Sequence, residues 1–133
     1  MGVLALTRKE RKALAQLRCG VTPLRIETGR WEKTENHALP ADQRLCLYCT
    51  KWNVNDIESE EHFLLKCLHP ELSRFRNELI SKASSLAPNF LTLDDKSKVA
   101  FLLSHPDMVF YSAKICSKML NIRSDVSRNE FLI

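Results

Sequence analysis

Cys46-Leu47-Tyr48-Cys49, followed by His62 and then Cys67, restricts the folding of this chain more than any other feature. Twelve residues separate Cys49 from His62 and four separate His62 from Cys67, so the pattern is Cys-x2-Cys-x12-His-x4-Cys. It supplies four soft or borderline ligands, the number a tetrahedral structural zinc ion takes. The two-residue gap lets a tight turn aim the first two sulfurs at one point. His62 and Cys67 can then converge from the last turn of a short helix and the residue beyond it. A closed set of four ligands leaves no open position for water or substrate, so such an ion holds structure and does not catalyse.

Two other readings of the cysteines carry less weight. A thioredoxin-like redox pair should follow a strand in a βαβ pattern, and none surrounds Leu45 to Thr50. A disulfide or redox pair would also leave His62 and Cys67 without a reason, and buried, inert thiols are the remaining alternative. His69 is an alternative fourth ligand, but six residues separate it from His62 where three to five are usual, so Cys67 is preferred. Cys19 and Cys116 lie far from the motif and are expected as small core residues.

The chain has 133 residues and 5 cysteines, too few once the motif is set aside for a disulfide framework. No apolar stretch approaches the roughly 20 residues that span a membrane, and an intracellular location, nuclear or cytoplasmic, is expected. The net charge of +4 is unevenly spread. Residues 1–44 and 73–133 are basic, whereas 45–72, around the motif, carries Asp56, Glu58, Glu60, Glu61 and Glu71 against Lys51 and Lys66. These three segments are the expected organisation: a basic helix with a turn-rich stretch, a zinc module, and a helical C-terminal segment.

Local signals are mainly helical. Thr7-Arg8-Lys9-Glu10 is a capping box, Ala13, Leu14 and Leu17 make one helical face, and Gly20 is placed to end the helix. Leu24 and Ile26 alternate with Arg25 and Glu27, which suggests a short extended piece. Trp52, Val54 and Ile57 are expected beneath the metal. Ser59 can cap a short helix through Glu60, Glu61 and His62, and Pro70 suits the first turn of the next. Asp94 or Asp95 can cap a helix with Val99, Leu102 and Leu103. Pro106 is expected to open a last helix with Val109, Ala113, Cys116 and Leu120 on one face. The expected fold is mainly α, a small zinc-stabilised module flanked by helices.

The run Leu17-Arg-Cys-Gly-Val-Thr-Pro-Leu-Arg-Ile-Glu-Thr-Gly-Arg-Trp31, then Cys46-Leu-Tyr-Cys49, then Glu60-Glu-His-Phe-Leu-Leu-Lys-Cys67, resembles the carboxy-terminal tail of non-LTR (LINE-type) retrotransposon polyproteins. The resemblance covers Leu14 to Arg76. It implies a Cys-Cys-His-Cys zinc segment of the kind that follows a reverse transcriptase domain and helps position RNA or DNA. The enzyme's carboxylate pair is not matched: Asp94-Asp95 follows Thr92-Leu93 and reads as a helix start. Nothing else in the sequence groups a nucleophile with a general base, and a non-enzymatic chain is expected.

The charges refine this expectation. The helix after Ser59 would present Glu58, Glu60 and Glu61, whose carboxylates repel phosphates, so major-groove reading by it is not expected. Arg8, Lys9, Arg11, Lys12 and Arg18 on the first helix, with Arg25, Arg30 and Arg44, are the candidate phosphate contacts. The competing readings are a protein-interaction module, with Leu14, Leu17 and Val21 as an unpartnered apolar face, and an inactive fragment that binds no nucleic acid, its bases a solvated helix face.

Overall fold

A computed structural model of the chain describes residues 6–28, 33–34 and 37–130. The capping box forms as read: Thr7 Oγ1 accepts from the Glu10 amide at 3.1 Å, and Glu10 Oε1 accepts from the Thr7 amide at 2.8 Å. These bonds satisfy two of the free amides at the start of α1 (Arg8–Cys19). Gly20 ends the helix with φ 70°, a left-handed conformation open to glycine without a Cβ penalty. A Cβ built there meets nothing within 4 Å, so the cost of a side chain is backbone strain alone. Gly20→Ala is therefore expected to destabilise the fold by about 1–2 kcal/mol, measured by urea denaturation, with Gly20→Asn costing less.

Among the described residues six more α-helices follow: α2 (Arg25–Thr28), α3 (Leu47–Thr50), α4 (Glu60–Leu65), α5 (Pro70–Leu86), α6 (Asp95–Ser104) and α7 (Val109–Glu130), with 3-10 turns at Ala41–Gln43 and Phe90–Thr92. Extended structure among the described residues is confined to an antiparallel pair, β1 (Lys33–Thr34) with β2 (His37–Ala38), and a single bridge between Leu45 and Ile57. The chain is thus mainly helical, as its periodicity implies. Ser59 caps α4 and Asp94 caps α6, each accepting a backbone amide three residues on, and Pro70 occupies the first turn of α5. The last helix begins at Val109 rather than Pro106, because Pro106 to Met108 form a turn closed by the Met108 amide on the His105 carbonyl.

The helices pack across the sequence. α1 lies against α7 and α6, α5 against α7, and α4 against α6 and α5. Leu14, Leu17, Leu72, Leu79, Leu102, Leu103, Met108, Ala113, Cys116 and Met119 are buried in one apolar core. Each large apolar side chain so removed from water contributes about 1.5–3 kcal/mol. Leu14 and Leu17 are therefore covered within the chain, and the expected unpartnered face does not exist. Val21 lies beyond the helix, 58% exposed. Cys19, expected inside, is exposed because it falls on the outer side of the last turn of α1.

The Leu24–Glu27 stretch is helical, not extended. The Thr28 amide reaches the Leu24 carbonyl at 2.9 Å, while Glu58, distant in sequence, accepts from the Arg25 amide at 2.8 Å. A carboxylate at the start of this short helix outweighs a four-residue alternation, which is too brief a signal to hold a strand without a pairing partner.

Candidate metal centre

Three local structures converge on the cysteines and histidine. The chain around Leu45 pairs with that around Ile57, the Cys46 amide donating to the Asp56 carbonyl at 2.8 Å and the Glu58 amide to the Arg44 carbonyl at 2.9 Å. Between these arms, Cys46 opens the single turn of α3 and Cys49 lies within it. The chain then reverses at Asn53, whose φ of 65° is of the left-handed kind that Asn tolerates better than most residues. His62 projects from the first turn of α4, held by the Ser59 cap at 3.2 Å. Cys67 turns back just beyond that helix, its amide on the His62 carbonyl at 2.8 Å.

The result is a buried cluster. The Cys46, Cys49 and Cys67 sulfurs and a His62 ring nitrogen all lie within 4.8 Å of one another. Cys67 Sγ is 3.9 Å from Cys46 Sγ and 3.8 Å from Cys49 Sγ, and Cys49 Sγ is 3.4 Å from His62 Nε2. A disulfide needs sulfurs about 2.05 Å apart, so these are free thiols. Each sulfur also meets a backbone amide: that of Cys49 for Cys46, that of Leu68 for Cys49, and that of His69 for Cys67. Such donors favour the thiolate, the form that ligates metal. The four side chains can hold a metal ion.

The electrostatics of the cluster point the same way. The hydrogen bond shared with Cys67 lowers the pKa of Cys46 below the usual thiol range, against the opposing effect of burial. Cys67 is pushed up by giving that hydrogen bond and by burial; Cys49 is pushed up by burial and by the charge on Cys46. One buried negative charge is tolerated and a second is resisted, so full deprotonation calls for a cation in the centre.

Several neighbours of the cluster carry no sequence signal. His62 Nδ1, the ring nitrogen facing away from Cys49, is 3.4 Å from Asp56 Oδ2, outside hydrogen-bond geometry but placed as the carboxylate partner that metal-bound histidines commonly have. Glu58, expected on the display face of α4, instead precedes the Ser59 cap and is only 2% exposed. It takes a two-pronged ion pair from Arg123 of α7, through Arg123 Nε to Glu58 Oε2 and Arg123 Nη2 to Glu58 Oε1. Burial alone would lower the Arg123 pKa, yet the hydrogen bond and charge of Glu58 hold it above the usual value. Arg123 also lines a small void with Cys46, Cys67 and Tyr48, beside the cluster. Spacing cannot reveal such partners, since they meet only through the fold.

Trp52 does not pack beneath the cluster. It is 63% exposed, while Val54 and Ile57 are half-buried. The turn through Asn53 directs Val54 inward and leaves the larger ring outside. His69 is not a member of the ligand set either: its Nδ1 accepts from the Glu71 amide at 3.3 Å, which caps α5, and its ring stacks obliquely on Tyr48 at 4.8 Å.

The candidate phosphate contacts divide into two groups. Arg8, Lys9, Arg11, Lys12 and Arg18 are exposed on α1. Arg11 also donates to the Leu6 carbonyl at 2.8 Å, and Arg18 to the Leu103 carbonyl at 2.6 Å. Arg25 and Arg44 are half-buried and brace the fold: Arg25 donates to the Leu45 carbonyl at 2.9 Å, and Arg44 to the Ile26 and Leu39 carbonyls at 2.8 and 2.9 Å. Arg30 lies outside the described residues.

The fold and cluster together define a mainly helical protein organised around a buried Cys3His site that can hold a metal ion. Comparison with known proteins gives no match: no family model, no curated protein and no solved structure aligns significantly with the chain. Among the described residues, no helix is long and apolar enough to cross a membrane.

Proposed function

We propose that Cys46, Cys49, His62 and Cys67 hold one zinc ion, and that the chain is a non-catalytic, zinc-stabilised module that binds RNA or DNA weakly through its basic helix. The observation that carries the zinc reading is the spacing of the ligand atoms. Ordinary zinc–sulfur and zinc–nitrogen bonds set at tetrahedral angles give edges of about 3.8 Å between sulfurs and about 3.5 Å between sulfur and nitrogen. Three of the cluster's six ligand-atom separations match, two between sulfurs at 3.8 and 3.9 Å and one sulfur–nitrogen at 3.4 Å, and all six are within 4.8 Å. Three thiolates and an imidazole also suit zinc and disfavour magnesium or calcium, which take oxygen ligands. When bound, the ion would supply a fixed crosslink among the arms at Cys46, α4 and Cys67.

The nucleic-acid reading is supported by the resemblance to retrotransposon reverse transcriptase tails and by the exposed bases of α1. Arg8, Lys9, Arg11 and Lys12 span little more than one turn, and Arg18 follows near its end. Each phosphate they neutralise releases counterions, giving salt-dependent and largely sequence-independent binding. Arg25 and Arg44 contribute less, since part of their donor capacity is spent on carbonyls. A protein-interaction role is the second reading, supported by Leu47, Trp52 and Leu68, which are exposed beside the ligand cysteines.

The test is a fluorescence titration of zinc-loaded protein with single-stranded RNA and duplex DNA at low and physiological salt, with a chelated sample in parallel. The expected result is zinc-dependent binding that weakens with salt and is reduced by Lys9→Ala/Lys12→Ala. Absence of binding at low salt would refute the nucleic-acid reading and favour the protein-interaction one.

A further inference from the structure

Arg76 is a buried cation without a visible anion. It is 7% exposed in α5. Its Nε donates to the Leu64 carbonyl at 3.1 Å and its Nη2 to the Phe63 carbonyl at 3.4 Å. Both acceptors are neutral, and among the described residues no carboxylate forms an ion pair with it. Of the other nearby charges, Arg123 faces Glu58 and Lys66 faces Asp95 at 2.9 Å, while the Asp56 carboxylate beside His62 is half exposed and screened by solvent. An interior guanidinium with only neutral partners is costly, and such groups are found paired.

Its place in the fold indicates the missing partner. The two carbonyls belong to the end of α4, between His62 and Cys67, so Arg76 grips the segment that carries two of the four ligands. Its guanidinium also lies within electrostatic reach of the Cys67 and Cys49 sulfurs. Three thiolates, one neutral imidazole and one divalent ion sum to a single negative charge. That charge, sealed from water like the cluster, equals the one Arg76 carries.

We propose that Arg76 is the counterion of the loaded metal centre, a positioning residue that makes a buried site with three thiolates and a divalent ion electrically neutral. The inference rests on the zinc reading above and adds a residue to it. Neutrality would favour divalent ions over trivalent ones. A neutral residue at position 76 would leave the loaded centre with an unbalanced buried charge.

The test is metal competition against a chromophoric chelator for the full wild-type chain, Arg76→Gln and Arg76→Lys, with zinc and with cobalt. Glutamine keeps a donor for the Leu64 carbonyl and removes the charge; lysine keeps the charge and loses the planar fork. Arg76→Gln is expected to weaken zinc binding about 10- to 100-fold, the range typical of lost outer partners, with Arg76→Lys much closer to wild type. The cobalt thiolate charge-transfer band should persist in both, showing an unchanged ligand set. Folding of the loaded variants is checked by circular dichroism under excess zinc, so a loss of affinity is not confused with a chain that cannot fold. Equal affinity in Arg76→Gln and wild type would overturn the proposal, as would equal weakening by glutamine and lysine, which marks a helix clamp alone. Failure of the wild-type chain to bind zinc would remove the zinc reading itself.

Discussion

Replacing Cys49 or Cys67 with serine is expected to unfold residues 45–72 and to loosen α2 and the C-terminal part of α7 as well. Serine is a poor zinc ligand, and three remaining ligands do not close the site. The expected loss is large because zinc binding and folding are one event in such modules, worth about 10–16 kcal/mol of apparent affinity at neutral pH. A domain of ordinary size has only about 5–15 kcal/mol of stability in total. The damage spreads through Glu58, which lies inside the affected segment yet caps α2 at the Arg25 amide and pairs with Arg123 on α7. Amide-proton dispersion and thermal melting of the zinc-loaded chain measure this, and chelation of the wild type should reproduce it. Cys19→Ser is the suitable comparison, because Cys19 is exposed and remote from the cluster. Cys116 is less suitable, since a buried hydroxyl in α7 would have its own cost. Native dispersion in Cys49→Ser would mean that the cluster is not what holds the segment together.

What could be read from the sequence, and what could not, follows the range of the interactions. Thr7, Gly20, Ser59, Pro70 and Asp94 act on backbone within a few residues of themselves, and all five mark helix ends where their chemistry implies. The four cluster residues are legible for a related reason: the Cys46–Cys49 and His62–Cys67 spacings each express a local turn, and only the meeting of the two turns is long-range. The larger errors involve side chains whose environment is set by a distant element or by a turn the pattern does not announce. Glu58 reads as a surface acid until Arg123 is brought to it. The Leu24–Glu27 alternation looks extended until Glu58 caps it as a helix. Trp52 looks like core by its size, but the turn at Asn53 decides which way it faces. Leu14 and Leu17 have no cover nearby in the sequence because α7, which packs on α1, lies roughly a hundred residues further on.

Breaking the Glu58–Arg123 pair is expected to be the most damaging change away from the cluster itself. Both side chains are almost wholly buried, 2% and 6% exposed, so solvent screening offers little relief. Removing one partner strands the other's charge in the interior, at a cost of about 3–5 kcal/mol. Arg123→Met and Glu58→Gln should therefore each lower the urea midpoint sharply without changing its slope. The double variant Glu58→Gln/Arg123→Met strands no charge and should be less destabilised than the two single costs combined, the mark of a coupled pair. Glu58→Gln keeps a side-chain oxygen for the Arg25 amide. Glu58→Leu does not, and leaves that amide with an additional deficit of about 1–3 kcal/mol. Comparing Glu58→Leu with Glu58→Gln, both in the Arg123→Met background, thus separates the cap on α2 from the ion pair to α7. Strictly additive single costs would show that Glu58 and Arg123 act independently, and that this pair is not what couples the metal segment to α7.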